Sequence, residues 1–116
     1  MEPVAGYSRA VVAGHHVYVS GTAPIPAEGD PPVGAYEQAR LCLEIIVGAL
    51  EQGGARAEDV VRTRIYLVDA DDFDDVARAH RDVFAEIRPA TSAVVVAGLL
   101  DPRWRVEIEA VAMLSD

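Results

Sequence analysis

Eight residues near the end of the chain constrain the fold more than any others. Val106-Glu107-Ile108-Glu109-Ala110-Val111-Ala112-Met113 alternates in character residue by residue. In an extended strand Val106, Ile108, Ala110 and Ala112 share one side, and Glu107, Glu109, Val111 and Met113 share the other. A second β-type run, residues 93–96, lies just upstream. Residues 99–103 between them hold Asp101 and Pro102, which suits a turn. One strand therefore offers an apolar face to a core and aims two carboxylates the opposite way. That second face is either solvated, as in many antiparallel sheets, or covered when subunits associate. The rest of the chain bears on the choice.

The 116 residues, 51% hydrophobic and 25% charged, suit one globular domain over residues 1–116 with a single core. The formal net charge of −9 makes nucleic acid a poor partner. All ten cationic side chains are arginines, so Schiff-base chemistry through a lysine is excluded. The lone cysteine, Cys42, permits no intrachain disulfide. It lies within the apolar helical run Arg40-Leu41-Cys42-Leu43, where a small buried hydrophobe is expected rather than a nucleophile. Met1-Glu2-Pro3 carries no basic leader, and no apolar run approaches the ~18 residues of a membrane span. A soluble cytoplasmic protein without membrane partners is expected.

Residues 7–12 and 17–20 read as two strands joined through Ala13-Gly14-His15-His16. Adjacent histidines in a strand face opposite ways, so His15 and His16 are expected as turn residues rather than as a chelating pair. Ser20-Gly21-Thr22-Ala23-Pro24 ends the second strand, and Gly21 lets a backbone or ligand come close. Residues 27–34 form a Gly- and Pro-broken loop. The apolar spacing predicts a first helix over residues 35–52, closed by Gly53-Gly54.

A β-branched strand follows at residues 60–68. Its phase places Val61, Thr63, Ile65 and Leu67 toward the helices and Arg62, Arg64 and Tyr66 away. The second helix is expected over residues 72–86, with Phe73, Val76, Ala79, Val83 and Ile87 as its stripe and His80 half-buried beside it. Asp69, Asp71, Asp72 and Asp74 suit its N-terminal cap and dipole better than a calcium loop. Arg88-Pro89 stops it.

The order is β-β-α-β-α-β-β, an α+β domain in which two helices cover one face of the sheet. The other face mixes Arg62, Arg64 and Tyr66 with Glu107, Glu109, Val111 and Met113. Complementary charge with apolar groups suits a homo-oligomer, with arginine–carboxylate pairs satisfied across or within the interface. A site could then lie between subunits, built from Tyr7, Ser20 and Gly21 together with strand residues of a neighbour.

Gly6-Tyr7-Ser8, Val17-Tyr18-Val19-Ser20-Gly21, Gln38-Ala39-Arg40, the run from Asp59 to Leu67, Pro89-Ala90-Thr91-Ser92 and Val106-Glu107-Ile108-Glu109-Ala110-Val111-Ala112 occur in that order. Together they resemble the YjgF/Rid family, the reactive-intermediate deaminases also described as endoribonuclease L-PSP or translation inhibitors. The resemblance spans nearly the whole chain. It implies a chorismate-mutase-like fold on a mixed sheet and a homotrimer with clefts between subunits. It also implies hydrolysis of 2-imino or 2-enamino acids to 2-keto acids and ammonia, without metal or cofactor. Glu107 then matches the glutamate that helps to activate water, Tyr7 the pocket tyrosine, and Ser20 and Gly21 the pocket wall.

The family's carboxylate-clamping arginine is Thr91 in this chain, and the cysteine that usually follows the motif is Ala93. Ala77 falls near the place of the usual asparagine on the second helix. A threonine hydroxyl cannot replace a bidentate arginine, and losing such a contact typically costs about 1.5–3 kcal/mol. Arg88, Arg103 and Arg105 are the candidates for restoring the charge; Arg105 is expected in a structural ion pair instead. Three functions are weighed: an imine-hydrolysing enzyme with altered substrate or reduced activity, a non-catalytic trimer that binds a small metabolite, and a ribonuclease. The acidic charge speaks against the third.

Overall fold

The computed structural model describes residues 6–115. Strands β1 (Ala10–Ala13), β2 (His16–Thr22), β3 (Val60–Leu67), β4 (Ala90–Val95) and β5 (Val106–Met113) form one sheet, with helices α1 (Ala35–Gln52) and α2 (Phe73–Phe84). The strand order is β1-β2-β5-β3-β4. β3 and β4 run parallel, and every other neighbouring pair is antiparallel. This is the mixed-sheet α+β architecture expected from the sequence. Among the described residues no helix is long and apolar enough to cross a membrane.

β5 is central, and its alternation survives intact. Val106, Ile108, Ala110 and Ala112 are buried against the helices, and Glu107, Glu109 and Val111 are half-buried on the open face. α1 lays Ala39, Cys42, Leu43, Ile46 and Leu50 on the sheet. Its bounds coincide with the expected ones, and the left-handed turn falls at Gly54 (φ 86°). Gln38 is fully buried but fully used. Its Nε2 donates to Pro32 O at 2.7 Å and Arg103 O at 2.9 Å, and its Oε1 accepts from Arg105 N at 2.7 Å. One side chain thus ties the 27–34 loop to the start of β5, as buried polar groups require partners.

Three expectations need correction. Val61 does not face the helices: it is 46% exposed, and Val60 is buried instead. Val60 pairs with Ala112 but Arg62 pairs with Val111, so one extra residue bulges from β3 and shifts its phase. From Thr63 onward the expected alternation holds. The first strand begins only at Ala10, and the second runs on to Thr22. The stripe of α2 is rotated: Phe73 is 44% exposed, while Phe84, absent from the expected stripe, is the largest fully buried side chain.

The acidic run was expected to cap α2, but its one capping bond among the described residues lies a turn earlier, and Asp72, the N-cap of α2, makes no side-chain capping bond. Asp69 accepts from Asp71 N at 2.8 Å and opens a single 3-10 turn, Ala70–Asp72, ahead of α2. On the open face the Tyr66 hydroxyl donates to Glu109, Arg64 pairs with Glu109 at 3.5 Å, and Arg62 donates to Ser92 Oγ at 2.9 Å. Hydrogen bonding to Glu109 pushes the Tyr66 phenol above its ordinary range.

Candidate functional site

Glu107 lies on the open face of β5, directly opposite Tyr66 of β3. On its other side β2 carries a bulge: Val19 pairs with Ala110 and Thr22 with Ile108, which leaves Ser20 and Gly21 out of register. The missing side chain at Gly21 makes room for the carboxylate. A Cβ built there would overlap Glu107 Oε2 and lie 3.3 Å from Cδ. Among the described residues Glu107 has no hydrogen-bond partner, although it is half-buried. Burial first, and then the like charge of Glu109, raises its pKa; Arg9 opposes both.

Arg9 and its neighbours are fixed to the same bulge. Arg9 Nη1 donates to Thr22 Oγ1 at 3.1 Å, and that buried hydroxyl donates to Ser20 O at 2.8 Å. Ser20 N donates to Arg9 O at 3.0 Å, and Ser20 Oγ donates to Ser8 O. Ser20, Gly21 and Glu107 are therefore gathered at one place. Tyr7, 45% exposed, precedes the Ser8 carbonyl that Ser20 holds. Arg9 was missed from sequence; its only signal was its position beside the Tyr7-Ser8 motif.

Thr91 and Ala93 fall elsewhere. β4 pairs Thr91 with Thr63 and Ala93 with Ile65, so both point to the helix side. Thr63 is fully buried, and its hydroxyl lies 2.8 Å from Thr91 Oγ1 and 2.9 Å from His80 Nε2 on α2. Thr91 also donates to Pro89 O at 3.2 Å. Burial lowers the pKa of His80, which favours the neutral ring. Thr91, Pro89 and His80 edge a groove of about 290 Å³ between α2 and β4, lined also by Phe73, Ala77, Arg81, Phe84 and Arg88; Thr63 and Ala93 are not among its lining residues. Within one chain the sheet separates this groove from Glu107. Thr63 was legible as a polar residue in an apolar alternation, but its partners were not.

Two of the three arginines considered for the missing charge are committed. Arg103 pairs with Asp101 at 2.7 Å and Asp30 at 3.0 Å, and it holds the Asp101 carboxyl down to about 2. Arg105 forms the structural pair expected of it, with Asp72 at 3.2 Å, and donates to Val33 O at 3.1 Å. Arg88 is exposed at the rim of the groove. Cys42 is fully buried, and burial pushes its thiol far up, so it fills space as expected.

The family model described as Endoribonuclease L-PSP matches residues 1–114. Mouse 2-iminobutanoate/2-iminopropanoate deaminase is 36% identical over 110 residues, 92% of this chain and 80% of the relative. Rv2704 of Mycobacterium tuberculosis, a solved member of the YjgF/YER057c/UK114 family, superposes with a TM-score of 0.88 at 42% identity, covering 97% of this chain and 91% of that one. Escherichia coli TdcF, solved with bound serine, gives 0.88 at 31% identity over 94% and 88%. With matches of this extent in sequence and in fold, the chain belongs to the YjgF/Rid family, the endoribonuclease L-PSP group.

Proposed function

We propose that the chain hydrolyses small imines or enamines, in clefts where copies of it meet as a trimer. The Glu107 end of one copy faces the α2–β4 groove of the next. The observation that carries this reading is the state of Glu107: a half-buried carboxylate with no hydrogen-bond partner among the described residues, laid over Gly21, its pKa raised by burial and by Glu109. Such a group, with its pKa raised and its oxygens unengaged among the described residues, suits a general base. It takes a proton from water as the oxygen adds to the C=N carbon. It passes that proton to nitrogen, giving a carbinolamine; it then takes the hydroxyl proton and delivers it to the same nitrogen as the C–N bond breaks, so that ammonia leaves and the carbon becomes a carbonyl.

The similarity to a deaminase acting on 2-imino acids supports the reaction class. Thr91 changes the substrate. Its hydroxyl is engaged by Thr63 and Pro89 O, and it carries no charge for a carboxylate beside the reacting carbon. Turnover of 2-iminopropionate or 2-iminobutyrate is therefore reduced.

The test supplies these imines from an amino-acid oxidase and follows their decay with wild type and with Glu107→Gln. Slow wild-type acceleration that Glu107→Gln abolishes supports the reading. Acceleration unaffected by the substitution refutes the role of Glu107. Light scattering should give about three times the 12.4 kDa chain mass, and a monomer would sink the shared cleft. The engaged Thr91 hydroxyl also favours a second reading, a trimer that binds a metabolite without turning it over. That reading requires saturable ligand binding with no imine decay.

A further inference from the structure

The arginines of this chain divide unevenly. Among the described residues six of the ten sit in ion pairs: Arg40 with Asp82, Arg56 with Asp59, Arg64 with Glu109, Arg78 with Asp75, and Arg103 and Arg105 as above. Arg9 and Arg62 donate to the hydroxyls of Thr22 and Ser92. Among the described residues only the side chains of Arg81 and Arg88 have no polar partner. Both border the α2–β4 groove, and no acidic side chain is among the described residues that line it. In a chain of net charge −9, two arginines whose side chains have no partner among the described residues, set around a hollow that no described carboxylate lines, bring positive charge together at one place.

The backbone holds one of them there at a cost. Arg88 adopts φ 55°, a conformation non-glycine residues rarely take, and its N–H donates to Phe84 O at 2.9 Å as α2 ends. The rigid Pro89 follows. The walls below the rim are apolar, from Ile65, Ala77 and Phe84, with the Thr91 hydroxyl at one side. A groove of about 290 Å³ lies at the small end of ligand pockets, too small for a dinucleotide.

We infer that this groove binds small carboxylates with an apolar body, the charge held by Arg81 and Arg88 and the body laid against Ile65, Ala77 and Phe84. The inference rests on the reading above only in taking the groove as the substrate's side of the cleft. It deepens that reading by naming the substrate class: an imine or enamine whose anionic group lies away from the reacting carbon, toward the groove rim and not at Thr91.

The test is calorimetric titration of the full-length protein with 4-methylpentanoate and with its uncharged amide. The carboxylate should bind at least about tenfold more tightly than the amide, and added salt should narrow the gap. Arg81→Gln and Arg88→Gln should each weaken the carboxylate about tenfold and leave the amide unchanged. Equal binding of the two probes, or wild-type carboxylate affinity in the double variant, overturns the inference. So does a fall in the light-scattering mass of the double variant, since the arginines would then be joining copies of the chain. Glu107→Gln should leave carboxylate binding intact. Charge-dependent binding without imine turnover would sink the proposed reaction and leave this site standing; turnover with no arginine dependence would do the reverse.

Discussion

Replacing Thr63 by valine isolates the hydrogen bonds that join α2 to β4. Valine keeps the branched shape of threonine, so the strand preference and the packing of this fully buried position persist and no cavity opens. What disappears is one hydroxyl, shared by His80 Nε2 at 2.9 Å and Thr91 Oγ1 at 2.8 Å. The two former partners suffer unequally. Thr91 is exposed and still reaches Pro89 O, so water replaces the lost bond. His80 is half-buried against Phe84, with ring centroids 4.7 Å apart, and its Nε2 is left poorly satisfied. One such orphan costs about 1–2 kcal/mol. At this chain length that lowers Tm by roughly 3–10 °C. Urea unfolding at fixed protein concentration should show the loss in the midpoint with the slope unchanged. Thr91→Ala, measured alongside, should cost under about 0.5 kcal/mol, as an exposed position does. A Thr63→Val protein as stable as wild type would refute the claim that this line of hydroxyls holds the groove wall.

Gly21→Ala should displace the Glu107 carboxylate, because the new Cβ meets the mobile end of that side chain and not backbone. Stability should change by less than about 1 kcal/mol while imine turnover falls on the order of a hundredfold; wild-type rates would show that the carboxylate works from another position. The rate should rise with pH as Glu107 ionises, with a midpoint above the ordinary glutamate range, and Glu109→Gln should bring that midpoint down by removing the like charge. The linked stability has the opposite sense: a raised folded pKa gives stability that is full below the unfolded value and lost as pH rises through the folded one, and Glu107→Gln should remove this dependence in pH-resolved denaturation. Gln38→Leu should cost roughly 2–4 kcal/mol in urea, since it strands Pro32 O, Arg103 O and Arg105 N together; a loss under 1 kcal/mol would mean that those backbone groups find other partners.

The fold was legible wherever burial is one-sided and local. β5 and α1 declare themselves because their period matches the face they bury, and glycines mark the end of α1. The phase of β3 at Val61 was not legible. A bulge belongs to a pair of strands, and nothing in Val60-Val61-Arg62 tells which residue Ala112 will select. The site divides in the same way. Glu107, Ser20 and Gly21 could be read from the strand pattern and the family resemblance. The line from His80 through Thr63 to Thr91 joins three segments far apart in sequence. Nothing in the sequence singles out Arg81, and only the pairing of the other arginines sets it apart.

Glu107 and the α2–β4 groove lie on opposite faces of one sheet, and that separation makes the shared cleft testable without a structure of the assembly. If the base comes from one copy and the groove from the next, a subunit carrying Glu107→Gln still offers an intact groove. A subunit carrying Arg81→Gln and Arg88→Gln still offers an intact base. Each variant alone should be nearly inactive. Unfolded together in equal amounts and refolded, they should assemble at random, and in a cyclic trimer roughly one quarter of the clefts would join a sound base to a sound groove. Activity should therefore return to about a quarter of wild type, with unchanged affinity for the substrate. Recovery of that size requires that the halves act across a subunit boundary. A mixture as inactive as its components, in trimers shown by mass to be hybrid, would mean that base and groove serve one cleft from the same chain or do not serve one reaction at all.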